Sequence, residues 1–133
     1  MLSADLEKPV PQLLAAYDDP LGVTAAFNLN LLARMNRELD ADFDLSAFRH
    51  VARYDAAKRR VEMHLLSTRP QTATIPRARC SVSFLKGETI WTESSHKYRP
   101  GEVMEMGQHC GFRPSRQWLD REWAFAQTLF IVD

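Results

Sequence analysis

The chain has 133 residues, of which 45% are hydrophobic, and this is enough apolar material for one core of ordinary domain size. Seventeen basic residues balance seventeen acidic ones, and neither sign forms a long run, so the sequence lacks the charge pattern of a nucleic-acid-binding protein. No apolar stretch is long enough to span a bilayer, and the N-terminus lacks the basic segment and apolar block of a secretory signal. We therefore predict a cytoplasmic protein with neither nucleic acid nor membrane as a partner.

Metal sites and disulfides are not expected. Cys80 and Cys110 are isolated in the sequence, and we predict that both are small buried or half-buried hydrophobic residues. The acidic cluster Asp40, Asp42 and Asp44 has a spacing that suggests Ca²⁺, but the glycine and the final glutamate of an EF-hand loop are missing. This cluster is predicted to be a solvated loop.

The first part of the chain is predicted to be mainly helical. Residues 1–6 resemble the end of a strand, and Pro9 to Tyr17 suits a short helix. Leu21 to Leu39 is the clearest helix of the sequence. Its predicted buried face consists of the apolar residues that recur at helical spacing, namely Val23, Phe27, Leu31, Leu32, Met35 and Leu39. Within this helix, Asn28 and Asn30 could line a polar cavity, although asparagine in mid-helix more often faces water, which is the interpretation we favour.

From Phe48 the apolar period changes from 3.6 to 2, which predicts strands. The predicted extended segments are Phe48 to Tyr54, Arg60 to Ser67, Gln71 to Ile75, Arg79 to Lys86 and the stretch from Gly87 to Tyr98. Together they indicate an antiparallel sheet. His64, in the second of these strands, is predicted to be a surface or hydrogen-bonded sheet histidine rather than a metal ligand, because no second ligand stands at metal spacing.

The last of these strands carries the most informative polar pattern. Strict alternation places Trp91, Glu93 and Ser95 on one face and Ile90, Thr92 and Ser94 on the other. A carboxylate and a hydroxyl then point the same way. This spacing fits an ordinary exposed polar face, which is the commoner case, or a recognition patch inside a pocket.

The C-terminal part is predicted to be one helix and one hairpin. Pro100 suits the first helical position, and Gly111 suits the position after the helix end. Val103, Met106, Gly107 and Cys110 form the apolar stripe of this helix. Phe112 to Trp118 and Trp123 to Val132 would be the two strands. The predicted fold class is α+β, with two N-terminal helices, an antiparallel sheet, and a final helix and β-hairpin.

Four separated blocks resemble one known family in the same order. They are Tyr17-Asp-Asp-Pro-Leu-Gly-Val-Thr-Ala-Ala-Phe-Asn28, Asn36-Arg-Glu-Leu39 with Asp42-Phe-Asp44, Val61-Glu-Met-His-Leu65, and Gly87-Glu-Thr-Ile-Trp-Thr-Glu-Ser-Ser-His-Lys-Tyr98. The family is the histidine-specific, S-adenosylmethionine-dependent methyltransferases of ergothioneine biosynthesis. The resemblance covers only the C-terminal part of these enzymes, which are more than twice as long. It implies that residues 1–7 end a strand of the Rossmann-type (class I) methyltransferase domain, that residues 8–97 form the substrate-binding domain, and that residues 98–133 complete the methyltransferase domain.

The resemblance also implies substrate-binding roles for particular residues. Tyr17 matches the tyrosine that hydrogen-bonds the α-carboxylate of the substrate, and Met63 matches the methionine that lies against the imidazole ring. Glu93 and Ser95 match the glutamate and serine that hydrogen-bond the imidazole nitrogens. Thr24 is expected near the carboxylate end, through water. Without the resemblance, Tyr17 and Met63 would be interpreted as packing residues.

The methyl-donor site is missing from the sequence pattern. The five glycines never form the glycine-rich loop that cradles S-adenosylmethionine after the first strand of these enzymes. We therefore predict a fragment, a truncated gene product or one half of a split enzyme whose partner is an N-terminal half with the donor site. In the complete enzyme, the α-amine of L-histidine would be methylated three times. The alternative is a catalytically silent module that binds a small ligand or a partner and retains the substrate pocket.

Overall fold

The computed structural model describes residues 1–132, which form an α+β fold and confirm the predicted class. The helices are α1 (Val10–Tyr17), α2 (Val23–Leu39) and α3 (Pro100–His109). The strands are β1 (Leu2–Asp5), β2 (Phe48–Asp55), β3 (Arg60–Ser67), β4 (Gln71–Ile75), β5 (Cys80–Phe84), β6 (Thr89–His96), β7 (Phe112–Asp120) and β8 (Phe125–Val132). All predicted helices and strands are present, with ends that differ by a few residues.

The central antiparallel sheet has the strand order β2-β3-β6. On one of its faces, Val61, Met63 and Leu65 of β3 are almost fully buried, as the alternation of β3 predicts. Gly87 has a φ of 91°, a left-handed conformation that glycine adopts without strain, and it turns the chain into β6. The main core cluster lies on the same face and consists of Leu32, Phe43, Phe48, Leu65, Ala73, Ile75 and Phe84.

A β-bulge in β6 corrects the predicted faces of that strand. Glu93 pairs with Met63, but Trp91 pairs with His64, so Thr92 is an additional residue without a partner in the ladder. Because Met63 and His64 point to opposite faces, the prediction that Trp91 shares a face with Glu93 is wrong. Trp91 instead stacks on the ring of His64, with 6.0 Å between ring centroids.

The strands β4 and β5 form a separate hairpin that is held by the acidic cluster. The Asp42 carboxylate accepts a hydrogen bond from the backbone N–H of Thr74 in β4, and Asp40 forms an ion pair with Arg77. Asp44 forms an ion pair with Arg69. The prediction of a merely solvated loop was therefore incomplete, because Asp40 and Asp42 fasten the hairpin to the segment after α2, and Asp44 holds the loop before β4.

The buried face of α2 also differs from the prediction. Val23, Phe27 and Leu31 are exposed, whereas Asn28 is buried with 1% of its surface exposed. The preferred interpretation of Asn28 as a water-facing residue is wrong, because α2 is rotated so that its Asn28 side faces the sheet. Asn30 is exposed, as expected.

The two cysteines are free thiols, and both are exposed, so the predicted burial is wrong. Cys80 begins β5 in the two-stranded hairpin, where only Phe84 of that strand is buried. Cys110 follows the last residue of α3. Neither position lies over a packed face, and neither side chain is therefore covered.

A second antiparallel sheet has the order β1-β8-β7 and packs against α3. Val103 and Gly107 are the buried residues of α3, while Met106 and Cys110 of the predicted stripe are exposed. The close approach of α3 to β8 requires glycine at position 107, because a Cβ on Gly107 would lie 2.0 Å from the ring of Phe130 in β8.

An ion-pair network joins the second sheet and α3 to the central sheet. Arg59, in the loop between β2 and β3, donates to both carboxylate oxygens of Glu102 at 2.7 and 2.9 Å and contacts Glu7 at 3.3 Å. The hydrogen bonds from Arg59 lower the pKa of Glu102 to about 2. Glu102 also accepts from the backbone N–H of Arg99 at the start of α3. The network therefore connects the segment after β1, the loop between β2 and β3, and α3.

Among residues 1–132, no helix is long and apolar enough to cross a membrane.

We predict that Gly107→Ala destabilises the fold by about 1–3 kcal/mol, because the added methyl group overlaps the Phe130 ring. The matched control is Gly101→Ala in the same helix, where an added Cβ meets nothing within 4 Å and stability should not fall. Urea denaturation of the two variants measures the difference. An equal effect of both substitutions would contradict the close packing of α3 on β8.

We also predict acid sensitivity from Glu102. Its pKa in the folded state, about 2, lies below the ordinary value of 4.5. The ionised carboxylate therefore stabilises the fold fully above about pH 4.5, and this contribution is lost as the pH falls towards 2. Glu102→Gln should be less stable at pH 6 but should lose less stability between pH 5 and 3 than the unmodified chain. Parallel pH-dependent denaturation curves would contradict this assignment.

Candidate functional site

A compact polar cluster forms where β1, α1 and β6 meet. The Tyr17 hydroxyl, at the end of α1, donates a hydrogen bond of 2.6 Å to the Oγ of Ser95 in β6. The ammonium group of Lys97 donates to both of these oxygens, each at 2.8 Å. Two of the four principal residues predicted to bind substrate are therefore in direct contact.

Lys97 is the buried centre of this cluster. Its side chain has no exposed surface, and its third N–H donates to the Oδ2 of Asp5 at 2.7 Å. Burial raises the pKa of the Asp5 carboxyl, but the hydrogen bonds from Lys8 and Lys97 outweigh burial, and the pKa lies below its ordinary value. The three hydrogen bonds satisfy the whole donor capacity of an ammonium group, which is what a buried lysine requires.

Glu93 and Met63 lie beside this cluster on the same face of the sheet. The register pairs Met63 with Glu93 and Val61 with Ser95, so all four side chains project from one face. Met63 is buried, with 4% of its surface exposed, whereas Glu93 is exposed. Within residues 1–132 the Glu93 carboxylate forms no hydrogen bond or ion pair, so it is open to a ligand.

A second polar network supports the position of Tyr17. The side-chain amide of Asn28 lies 2.9 Å from Nδ1 of His50, and Nε2 of His50 lies 2.7 Å from the backbone carbonyl of Tyr17. Because the amide nitrogen donates to Nδ1, the ring proton is assigned to Nε2, which donates to the carbonyl. Asn28 also donates to the carbonyl of His64 at 3.3 Å. This network fixes the end of α1 to α2 and the sheet.

Thr24 is not part of the cluster. Its backbone N–H donates to the Asp19 carboxylate at 2.8 Å in the first turn of α2. Hydrogen bonds from Thr24 and Val23 lower the pKa of Asp19 to about 2. No hydrogen bond joins Thr24 to the other four predicted residues among those that the structure describes, and its role in binding stays a prediction.

A large apolar cavity of the described residues lies elsewhere. It has a volume of about 560 Å³ between α2, the β4-β5 hairpin and β6, and none of Tyr17, Met63, Glu93 and Ser95 lines it. Its lining is mainly aliphatic and aromatic, and the hydroxyl of its Thr92 is already bonded to the backbone of Met63. Selective polar recognition needs convergent polar groups, and the cluster around Lys97, unlike this cavity, contains them. Residues 1–132 also contain no group of three or more metal-ligating side chains.

Sequence reasoning missed Lys97, Asp5 and His50. The alternation that singled out Glu93 and Ser95 continues to Lys97, so the pattern held the signal for a buried cation on that face. Asp5 and His50 had no such signal. They are distant from Ser95 in the sequence and are brought to the cluster only by the tertiary fold.

Known proteins match nearly the whole chain. A family model described as histidine-specific methyltransferase, SAM-dependent, matches residues 1–132. The chain belongs to this family. The chain is also similar to two proteins named histidine N-alpha-methyltransferase. The Mycolicibacterium smegmatis protein is 42% identical over 131 residues, and the Mycobacterium tuberculosis protein is 43% identical over 129 residues.

The aligned part is the C-terminal part of these methyltransferases. It covers 98% and 97% of this chain but only 41% and 40% of the two relatives, respectively. The chain therefore spans about two fifths of the length of the curated relatives it matches.

The described residues do not fit the methyl donor that the family description implies. A nucleotide-type donor is held where a glycine-rich loop leads from a parallel strand into a helix. The three sheets of residues 1–132 are antiparallel in every pair of strands, and the loops before the three helices contain no more than one glycine each. The polar cluster around Lys97 is therefore the candidate functional site of the described residues.

We predict that Asn28→Ala destabilises the fold by about 1–3 kcal/mol, because Nδ1 of His50 and the carbonyl of His64 lose a buried partner. The control is Asn30→Ala on the exposed side of the same helix, which should change stability by less than about 0.5 kcal/mol. Chemical denaturation measures both changes. If the two variants were equally stable, the Asn28 network would not hold α1 to the sheet.

Proposed function

We propose that this chain is the amino-acid-binding part of an S-adenosylmethionine-dependent histidine N-alpha-methyltransferase, and that L-histidine binds at the face that carries Met63, Glu93 and Ser95. The observation that supports this most directly is the free Glu93 carboxylate two residues from a Ser95 hydroxyl that is held by buried partners. One group accepts a hydrogen bond and the other can donate one. This is the pair of functions that a neutral imidazole ring requires, since one of its nitrogens donates and the other accepts.

The spacing along β6 suits a ring between the two side chains. Two residues of a strand advance by about 6.6 Å, a distance that a small ring can bridge with one hydrogen bond at each end. The Met63 side chain, next to Glu93 across the strands, would contact the face of the ring. Glu93 and Ser95 would therefore fix the plane of the ring, and Met63 would close one side of it.

The contact between Tyr17 and Ser95 suggests the orientation of the substrate. We propose that Tyr17 binds the α-carboxylate, and a group 2.6 Å from Tyr17 must then meet the part of the substrate nearest its backbone. Ser95 would thus contact Nδ1, and Glu93 would accept from the distal Nε2–H. On binding, the Tyr17 hydroxyl would turn its hydrogen from Ser95 to the carboxylate.

In this pose, the contribution of the chain to the reaction is positioning. Hydrogen bonds at the ring and at the carboxylate leave the α-amine as the free end of the substrate, and they fix the direction in which its lone pair points. Binding energy from the remote ring would be used to orient the amine. We propose that a separate N-terminal segment, corresponding to the remaining length of the relatives, supplies the donor site and a partner surface.

The topology of the second sheet supports this arrangement. The strand β8 lies between β1 and β7 and is antiparallel to both, so β1 and β7 run parallel to each other. We propose that these strands and α3 form the edge of a Rossmann-like methyltransferase sheet, with residues 1–7 and 98–133 belonging to it and residues 8–97 forming the substrate-binding domain. A cytoplasmic location stays a prediction from the sequence.

The lack of a fitting donor site in the described residues favours a second candidate, a catalytically silent module that retains the substrate pocket. Fusion to the N-terminal part of the Mycolicibacterium smegmatis relative separates the two functions. A chimera that adds methyl groups to L-histidine, detected by mass spectrometry, supports the methyltransferase. A chimera that folds, binds L-histidine and transfers no methyl group supports the silent module.

We predict that Glu93→Ala weakens binding of L-histidine to the chain by roughly one to two orders of magnitude, because a hydrogen bond to a charged group contributes about 1.5–3 kcal/mol. L-Tryptophan should then be discriminated against less strongly, since the unpaired carboxylate that opposes it is gone. The measurement is a titration of each amino acid followed by protein NMR shifts. Glu105→Ala, which removes an exposed carboxylate from α3, is the matched control and should leave both affinities unchanged.

A ratio of histidine to tryptophan affinity that stays within about twofold in Glu93→Ala would mean that Glu93 contributes less than roughly 0.4 kcal/mol of discrimination. The assignment of this residue to ring recognition would then be wrong. If the unmodified chain showed no preference for histidine over tryptophan, the proposed substrate would be wrong as well.

A further inference from the structure

We propose that Lys97 is a positioning and specificity residue that makes Ser95 a hydrogen-bond donor towards the ligand, so that the site accepts the imidazole ring only in its neutral form. The proposal rests on the proposed function, because it concerns the same ring site. It adds to that function a role for Lys97, which does not touch the ligand, in selecting the protonation state of the imidazole ring.

The first step is the hydrogen-bond capacity of Ser95. A serine hydroxyl has two lone pairs and one hydrogen. The Ser95 oxygen accepts from the Tyr17 hydroxyl at 2.6 Å and from the Lys97 ammonium at 2.8 Å. Both lone pairs are therefore occupied, and the hydrogen of Ser95 is the one part of the hydroxyl left for a ligand.

The second step concerns the hydrogen bonds of Ser95 that remain when the Tyr17 hydroxyl turns its hydrogen to a substrate carboxylate. Lys97 can only donate, and its other two N–H groups stay on Asp5 and on the Tyr17 oxygen. One lone pair of Ser95 is still occupied, and the positive charge behind it opposes the approach of a second cationic donor. A protonated imidazole ring would bring such a donor, whereas a neutral ring can bring an unprotonated nitrogen.

The third step is the charge around the site. The groups that face Lys97 are Asp5, Tyr17 and Ser95, and the free carboxylate of Glu93 lies further along β6. The Asp5 carboxylate is shared, because its Oδ1 contacts Lys8 at 2.7 Å. His50 contacts the backbone of Tyr17 and is itself an imidazole, so the experiment needs a control for it.

Glu93 alone would favour the protonated form of the ring. A free carboxylate attracts an imidazolium ring and would raise the affinity at acid pH. Lys97 reverses this preference at the Ser95 end, since both nitrogens of an imidazolium are donors and the positive charge of Lys97 opposes a cationic donor at the Ser95 oxygen. Glu93 therefore accepts a hydrogen bond from one nitrogen of the ring, and Ser95 donates one to the other.

The test is the pH dependence of L-histidine binding to the whole chain between pH 7.5 and 5.5. An unperturbed imidazole has a pKa of about 6.5, so selection of the neutral ring lowers the affinity roughly tenfold over this range. Triazolylalanine, whose ring stays unprotonated throughout, should bind with unchanged affinity. This second ligand controls for any effect of pH on the protein itself, including its own histidines.

The variant is Lys97→Met combined with Asp5→Asn, which removes the buried charge without leaving its partner unpaired. In this variant no positive charge lies behind the Ser95 oxygen, so it can accept from a protonated ring. The loss of histidine affinity at pH 5.5 should then shrink to less than about threefold, because Glu93 attracts the protonated ring. Lys86→Met removes an exposed lysine and should retain the tenfold loss. A role of Lys97 in stability alone would not change the shape of the pH profile.

A measurement on the unmodified chain decides the proposal even if the double variant does not fold. Bound histidine with ¹⁵N in its ring should show one unprotonated ring nitrogen at pH 6. A bound ring with both nitrogens protonated, or an affinity that does not fall at acid pH, overturns the role of Lys97 while the proposed function stands. If the unmodified chain bound no histidine at any pH, the proposed function would fail and this inference with it.

Discussion

The site depends on one buried ammonium group. Lys97 is fully removed from water, and an unpaired charge in that position would be very costly, so its three hydrogen bonds must be present whenever the chain is folded. Its partners come from three separate elements: Asp5 ends β1, Tyr17 ends α1, and Ser95 lies in β6. The cation therefore brings together the second sheet, the first helix and the central sheet. The charge requirement of a single side chain thereby positions the two hydroxyls of the proposed recognition site.

Two further polar groupings act around the same point. The Asn28 and His50 network holds the end of α1 from one side, and the Arg59, Glu7 and Glu102 network holds α3 and the segment after β1 from another. Polar contacts fix direction more strictly than apolar packing does, since each donor must meet its acceptor within a narrow range of distance and angle. The apolar core under α2 and the β4-β5 hairpin supplies stability. The polar groupings supply the geometry at the other end of the sheet.

Much of the fold could be predicted from the sequence, because helical and strand periods are local properties. The ends of α1, α3 and the C-terminal hairpin follow from Pro9, Gly111 and the polar turn residues near Asp120. The buried face of α2 could not be predicted in the same way. Its apolar residues at Val23 and Phe27 suggested one face, but the amide of Asn28 has partners in the sheet that exist only in the folded chain.

The candidate site was predictable to a similar extent. Residues on one strand could be grouped by alternation, and the resemblance to a family supplied roles for Tyr17 and Met63. Asp5 and His50 reach the site from distant parts of the chain, and no local sequence pattern predicts their contacts with Lys97 and Tyr17. The exposure of Cys80 and Cys110 has the same cause, since a residue type alone does not reveal which faces of the fold remain uncovered.

The bulge at Thr92 has a consequence for the way this strand can change during evolution. It shifts the phase of β6 by one residue, so that Trp91 lies on the opposite face from Glu93. Deletion of Thr92 would restore regular pairing with Glu93 still opposite Met63 and Trp91 still opposite His64. Deletion of Ser94 would restore it differently, because Glu93 would then lie opposite Glu62 on the outer face and Thr92 would lie opposite Met63. A single deletion would then exchange a carboxylate for a hydroxyl group without any substitution. The chemistry of this face can therefore change through the length of the strand as well as through its composition.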